Sequence, residues 1–174
     1  IGCDHSLGIK QAVAHLVSLG HKQIGFLGGE RESNVTEERE LAYKETLLRS
    51  GIKPDIRLCA YSSFTHKFGN EMVLELVRQG ATAIVCASDI IAIRAMKQLA
   101  EAGIAVPDKV SVTGYDDLPA AKYCVPTLTS VSQNRVQIGK SAFGLIEQMR
   151  AGNEISRILL RPRLIVREST KKPV

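Results

Sequence analysis

The stretch Thr82-Ala83-Ile84-Val85-Cys86-Ala87-Ser88-Asp89, continued after a helical segment by Val110-Ser111-Val112-Thr113-Gly114-Tyr115-Asp116-Asp117, decides the fold class. Two apolar runs of strand character, 82–86 and 110–113, each lead straight into acidic and hydroxylic residues, with an amphipathic helix between them. Strand, helix, strand at this spacing is the unit of a parallel α/β sheet, whose strands open at their carboxyl ends onto the ligand crevice. Polar groups that arrive there side by side are placed to hold something. A carboxylate accepts several hydrogen bonds at once and suits paired hydroxyls, so the pattern points to a binding site more than to a reaction centre.

The same unit recurs on either side. Ile9, Ala12, Val13, Leu16 and Val17 have helical apolar spacing that stops at Gly20, before a strand over 23–27. Thr36 is a predicted N-cap with Glu37 and Glu38 in the first turn, Leu41, Leu47 and Leu48 supply a stripe, and Gly51 stops that helix before a strand over 57–61. A third helix from about Thr65 carries Phe68, Met72, Leu76 and Val77 and stops at Gly80. A fourth, capped by Asp89, carries Ile93, Met96 and Leu99 and stops at Gly103. Every one of these helices ends at glycine, the residue that most readily takes the left-handed cap conformation. The alternation predicts a doubly wound parallel sheet with helices on both faces.

After Tyr115 the rhythm changes. Residues 118–123 read as a short helix or turn, 128–132 as a strand, and 134–151 as a long helix. Its stripe of Val136, Ala142, Leu145, Ile146 and Met149 requires a partner surface. The segment 158–168 reads as a strand with Pro162 inside it, which argues for an edge position or a bulge.

With 174 residues, 44% apolar and 24% charged, the chain can bury one sizeable core. The net charge of +5 permits an acidic partner, but the only basic cluster, Arg157, Arg161, Arg163, Arg167, Lys171 and Lys172, alternates with apolar residues as on a solvated strand face and tail. Cys3, Cys59, Cys86 and Cys124 show no metal-ligand spacing and read as free thiols; His5, His15, His21 and His66 form no metal pattern either, so neither metal nor cofactor is expected. No secretory signal or transmembrane run is present, which favours a reducing cytoplasm, although the chain opens on Ile1 without an initiator Met. Enzyme readings find little: there is no phosphate loop, 25–29 lacks dinucleotide spacing, and the Asp116-Asp117 pair stands too late in the chain for a phosphoacceptor site.

Several runs together resemble a known family: residues 20–29 (Gly-His-Lys-Gln-Ile-Gly-Phe-Leu-Gly-Gly), 38–43, Ala87-Ser88-Asp89, 106–117, 126–133 and 163–170. Their order and spacing are similar to the effector-binding core of the lactose-repressor and galactose-repressor transcription regulators. The resemblance implies a periplasmic-binding-protein-like (type I) fold of two α/β lobes. By that pattern residues 4–132 and 158–174 are the C-terminal lobe, and 1–3 and 133–157 are the crossover and return segment of the N-terminal lobe. A helix-turn-helix domain that reads operator DNA, and the first half of the N-terminal lobe, would then fall outside this sequence. The stripe on the 134–151 helix would face those missing strands.

The resemblance also implies site residues. Arg39 falls where the family places an arginine that reaches the effector, and its planar fork of donors suits hydroxyls, carboxylates or phosphates; from the residues alone, an arginine on an amphipathic helix face fits equally. Phe64 falls where an aromatic stacks on the ligand, though a lone Phe at such a junction also reads as core. Ser88 stands where many members have Asn, and Asp116 where an acid holds ligand hydroxyls or, read locally, forms a turn. Gln133 lies at the crossover, able to bond hinge backbone and ligand, while Asn34 and Val35 are weaker candidates. Arg94 replaces a common Gly, and Ile93, Met96 and Tyr123 fall where relatives form the dimer contact, or equally in the core. The implied protein is a cytoplasmic, non-membrane homodimer that senses a sugar-like effector and has no catalysis of its own. A periplasmic sugar-binding protein is the alternative, and an enzyme acting on the sugar a distant third.

Overall fold

The computed structural model describes residues 1–62 and 71–173. Along the chain it forms β1 (Gly2–Cys3), α1 (His5–Ser18), β2 (Ile24–Gly28), α2 (Asn34–Arg49), β3 (Cys59–Tyr61), α3 (Met72–Arg78), β4 (Ala83–Cys86), α4 (Asp89–Glu101), β5 (Ser111–Tyr115), β6 (Thr129–Ser132), α5 (Arg135–Arg150), β7 (Leu159–Leu160) and β8 (Arg163–Ile165). Six strands make one sheet in the order β3-β2-β4-β5-β6-β8, parallel except for β8, which runs antiparallel to β6 at the edge. Helices α1 and α2 pack together on one face, α3 and α4 on the other. β2, β4 and β5 are buried along their whole length, as a parallel sheet covered on both faces demands. The predicted doubly wound architecture is therefore present.

The helix stops are the predicted glycines. At the end of α1, Gly20 has φ of 100°, and its N–H bonds Val17 O at 2.9 Å while the His21 N–H bonds Leu16 O at 3.1 Å, a closed Schellman cap. Gly51, Gly80 and Gly103 repeat this arrangement with φ of 74°, 95° and 72°. The stops at Gly20 and Gly80 lead into β2 and β4 within a few residues, whereas longer connections follow Gly51 and Gly103 before β3 and β5.

Four local expectations need correcting. Asp89 does not cap α4: the Ser88 hydroxyl accepts the Ile91 N–H at 3.3 Å, leaving Asp89 for another task. Thr36 is not the cap of α2 but lies buried in its first turn, the cap position falling on Ser33. The run 57–61 opens with a 3-10 turn, Ile56–Leu58, whose Arg57 is tied to Asp55 at 2.6 Å, and only Cys59–Tyr61 pair as strand. The closing run 158–168 is two strands rather than one. Pro162 supplies no N–H to continue the ladder, so β7 pairs with β1 in a separate two-stranded sheet and β8 joins the main sheet.

The chain beyond β8 stitches the sheet together. Ser169 Oγ donates to Val112 O at 2.6 Å and accepts the Thr129 N–H at 2.8 Å, while its carbonyl accepts the Val112 N–H at 2.8 Å. His21, nearly fully buried, holds the same segment: its Nε2 lies 2.8 Å from Lys171 O and its Nδ1 2.9 Å from the Thr82 hydroxyl. All four cysteines are free. Among the described residues no helix is long and apolar enough to cross a membrane.

Candidate ligand-binding site

The strand order reverses between β2 and β4, because the chain leaves β2 toward β3 and comes back to β4 on the opposite side. A doubly wound sheet opens its crevice at such a reversal, at the carboxyl ends of the strands. Arg39, one turn into α2, reaches across that gap. Its Nη1 donates to Ala87 O just beyond β4, its Nη2 lies 3.1 Å from His5 Nδ1, and its guanidinium carbon sits 3.9 Å above the ring of Tyr115 at the end of β5. Only 4% of Arg39 is exposed, so the solvated helix-face reading fails. Burial works against its charge, and the nearby Tyr115 and Asp116 offset this in part. Stacking on an aromatic face is one compensation available to a desolvated guanidinium.

Asp116 follows Tyr115 directly and lies near enough to Arg39 for its charge to act on the guanidinium. Its carboxylate Oδ1 accepts from Gln133 Nε2 at 2.5 Å, and no bond to a described residue involves Oδ2. Burial raises its pKa above the usual carboxylate range, opposed chiefly by the Arg39 charge and then by the Gln133 bond. Asp116 and Asp117 have φ of 113° and 49°, a left-handed conformation that side-chain-bearing residues avoid unless their surroundings enforce it. The enforcing contacts are visible. The Asp116 N–H bonds Val131 O at 2.8 Å, the Asp117 N–H bonds Ser130 Oγ at 3.1 Å, and the Leu118 N–H bonds Asp89 Oδ2 at 2.6 Å. Arg167 grips Asp117 Oδ1 at 2.5 Å, and Arg135 donates to the Asp117 carbonyl at 2.9 Å. Arg167, read from sequence as part of a solvated strand face, is thus a largely buried anchor of this loop.

Asp89 explains why the loop holds. Fully buried, it accepts from the Ser130 hydroxyl at 2.5 Å through Oδ1 while Oδ2 takes the Leu118 N–H, and desolvation pushes its carboxyl up to about 6. Gly114 is required beside it, since a Cβ there would lie 2.2 Å from Asp89 Oδ1.

The sequence-predicted residues Arg39, Asp116 and Gln133 therefore converge on one rim, with Ser88 at the same strand ends but with its hydroxyl engaged as the α4 cap. Phe64 and His66 lie outside the described residues. Asn34 opens α2 and is exposed, with Val35 beside it part-buried. Sequence reasoning missed His5 and Tyr115: the imidazole contacts both Arg39 and the Tyr115 hydroxyl, at 3.4 Å for the latter. Of the positions implied for a dimer contact, Met96 is packed in the core, Ile93 is part-buried and Tyr123 is 83% exposed, next to Val125 at 97%. No cluster of metal-ligating side chains occurs among the described residues.

An α/β lobe with buried polar groups facing outward at its strand ends is the architecture of a ligand-binding core. Residues 13–170 match the periplasmic binding protein-like domain family. The regulator AscG of Escherichia coli strain K12 is 39% identical over 90% of this chain and 47% of its own length, and the repressor CytR of the same strain 34% identical over 97% and 50%. Among solved structures, a sugar-binding transcriptional regulator of Escherichia coli, in complex with phosphate, superposes with TM-score 0.89 at 38% identity, covering 98% of this chain and 63% of that one. A CelR–cellobiose complex gives 0.86 at 33%, covering 96% and 52%, and a dimeric lac repressor 0.88 at 28%, covering 98% and 64%. The chain belongs to the lactose-repressor and galactose-repressor family of transcriptional regulators, as part of its effector-binding core. It spans about half the length of the curated relatives it matches.

Proposed function

We propose that this chain is the effector-sensing part of a cytoplasmic DNA-binding regulator, and that the crevice rimmed by Arg39, Ser88, Asp116 and Gln133 takes a sugar or sugar-like molecule. The observation that carries this reading is the convergence of Arg39 and His5 on the Tyr115 ring, with Asp116 next in the chain and bonded to Gln133 at the crossover. A fixed fork of donors beside an acceptor-rich carboxylate recognises hydroxyls in both directions. The regulators among the relatives favour this over a periplasmic transport protein of the same fold.

The lobe assignment follows the same reading. Residues 4–132 and 158–174 form the C-terminal lobe, while 1–3 and 133–157 belong to the N-terminal lobe. One feature supports it: α5 buries none of its residues, leaving Val136, Phe143, Ile146 and Met149 exposed for strands of that lobe, while β7 (Leu159–Leu160), paired with β1 apart from the main sheet, goes with residues 1–3 and moves the last crossover from 158 to beyond Leu160. Ligand closing the lobes about Gln133 and the other crossovers biases how two subunits, meeting through Tyr123 and the part-buried Ile93 with the core residue Met96 behind them, present helix-turn-helix heads to an operator; the bias requires a ligand with better contacts in the closed state.

A thermal-shift and calorimetric panel of mono- and disaccharides, cellobiose included, on the full-length protein tests the reading. Binding is expected to weaken by roughly 10- to 100-fold in Arg39→Ala and in Asp116→Ala, the scale of a hydrogen bond to a charged group. A sugar bound equally well by both variants would place the site elsewhere. Product appearing with the wild type but not with Asp116→Asn would make the protein an enzyme.

A further inference from the structure

We propose that His5 is a positioning residue of this crevice: its unprotonated Nδ1 fixes the Arg39 guanidinium against Tyr115, and that bond locks the imidazole as the Nε2–H tautomer, leaving a donor for a bound molecule. The tautomer follows from Arg39 itself. A guanidinium has five N–H donors and no acceptor, so its 3.1 Å approach to Nδ1 is a hydrogen bond only if that nitrogen carries a lone pair. The Tyr115 hydroxyl, 3.4 Å away, can donate to the same atom. Nε2 bonds no described residue, and His5 as a whole is only part-buried.

Arg39 depends on this lone pair. Among the described residues no carboxylate bonds the guanidinium, its Nε is buried without a partner there, and Nη1 is committed to Ala87 O, so His5 supplies the second of the two acceptors they offer. Protonation of the ring would set N–H against N–H and two cations side by side. The groups facing His5 are Arg39 and Glu38 from α2, Tyr115 and Asp116 at the end of β5, and Asp4 on its own segment. Burial, then Arg39, holds the imidazole neutral to lower pH than an ordinary histidine, against the pull of the three acids. Arg39 is thereby positioned at neutral pH and released on acidification.

The test uses the full-length protein labelled with 15N at histidine and arginine. At pH 7.5 long-range proton–nitrogen spectra are expected to show His5 as the neutral Nε2–H tautomer, with the Arg39 Nη signals resolved by hindered rotation. On acidification the ring titrates below the ordinary value of about 6.5, and the Arg39 signals average in the same step. His5→Leu loses the resolved signals at every pH. His5→Asn, whose side-chain oxygen accepts from Arg39, keeps them and no longer loses them in acid. A charged ring or an Nδ1–H tautomer at pH 7.5, or unchanged Arg39 signals in His5→Leu, overturns the proposal. Because the donor role rests on the effector reading, calorimetry with cellobiose separates the two. Binding about 10-fold weaker in His5→Leu and within about threefold in His5→Asn supports both, and equal binding by wild type and His5→Leu overturns the proposal. The expected spectra without cellobiose heat leave the positioning role standing and count against the sugar.

Discussion

At the scale of single residues, the buried Asp89 matters as much as the exposed rim, because Asp116 and Asp117 keep their left-handed backbone only while the loop is held. Asp89→Ala leaves the Leu118 N–H without its acceptor and the Ser130 hydroxyl without its own, at a cost of about 2–4 kcal/mol in urea unfolding. Its titration gives a signed test. A carboxyl pushed up to about 6 in the folded chain, from an ordinary value of 3.8, binds more protons folded than unfolded. Wild type therefore gains stability relative to Asp89→Asn as pH falls from about 7 to about 4, and a difference that stays flat would mean Asp89 titrates normally. His21 carries the opposite sign. Burial lowers its pKa, so the stability it contributes is present above about 6.5 and fades as pH falls. The deficit of His21→Ala, about 1–3 kcal/mol at pH 7.5, is accordingly expected to shrink at pH 5.

At the scale of elements, α1 comes so close to the sheet that Gly8 admits no side chain: a Cβ there would stand 2.7 Å from the Tyr115 hydroxyl and 2.9 Å from Val131. Gly8→Ala is expected to cost about 1–3 kcal/mol in thermal or urea unfolding and also to weaken ligand binding, since the displaced tyrosine is the floor under Arg39. This scale also shows what was legible beforehand. Glycine stops and apolar runs are local signals, and they located the helix ends and central strands to within a residue or two, whereas α2 begins ahead of its expected cap and the expected start of the third helix near Thr65, with Phe68, lies outside the described residues. Caps were less legible, since Ser88 and Asp89 are both capping residue types and only the fold decides that the carboxylate goes to Ser130 and Leu118. The rim positions came through the family resemblance. His5 carried no such flag, because its partners Arg39 and Tyr115 lie 34 and 110 positions away and no spacing rule joins them.

At the scale of the whole molecule, protection is uneven. β2, β4 and β5 are sealed between two helical layers, whereas α5 buries no residue and is held mainly by its own backbone bonds. In this 174-residue chain, amide exchange is expected to be slowest in those three strands and fast throughout α5; equal protection would mean α5 packs more firmly than its exposure indicates. Tyr123→Asp, at a position 83% exposed, should leave the melting temperature nearly unchanged but shift a dimer toward monomer in analytical ultracentrifugation of the full-length protein.

The stitching of the sheet by residues 163–171 has a consequence for how the protein is made. A ribosome that has delivered the chain as far as β6 has exposed five parallel strands and two helical layers, but Val112 and Thr129 still lack the partners that Ser169 brings. The nascent lobe therefore waits, with an open β edge, for its last stitches to clear the exit tunnel. A stall or cleavage in that window strands a sticky intermediate, and translation speed through the stretch that encodes residues 133–171 becomes a determinant of yield.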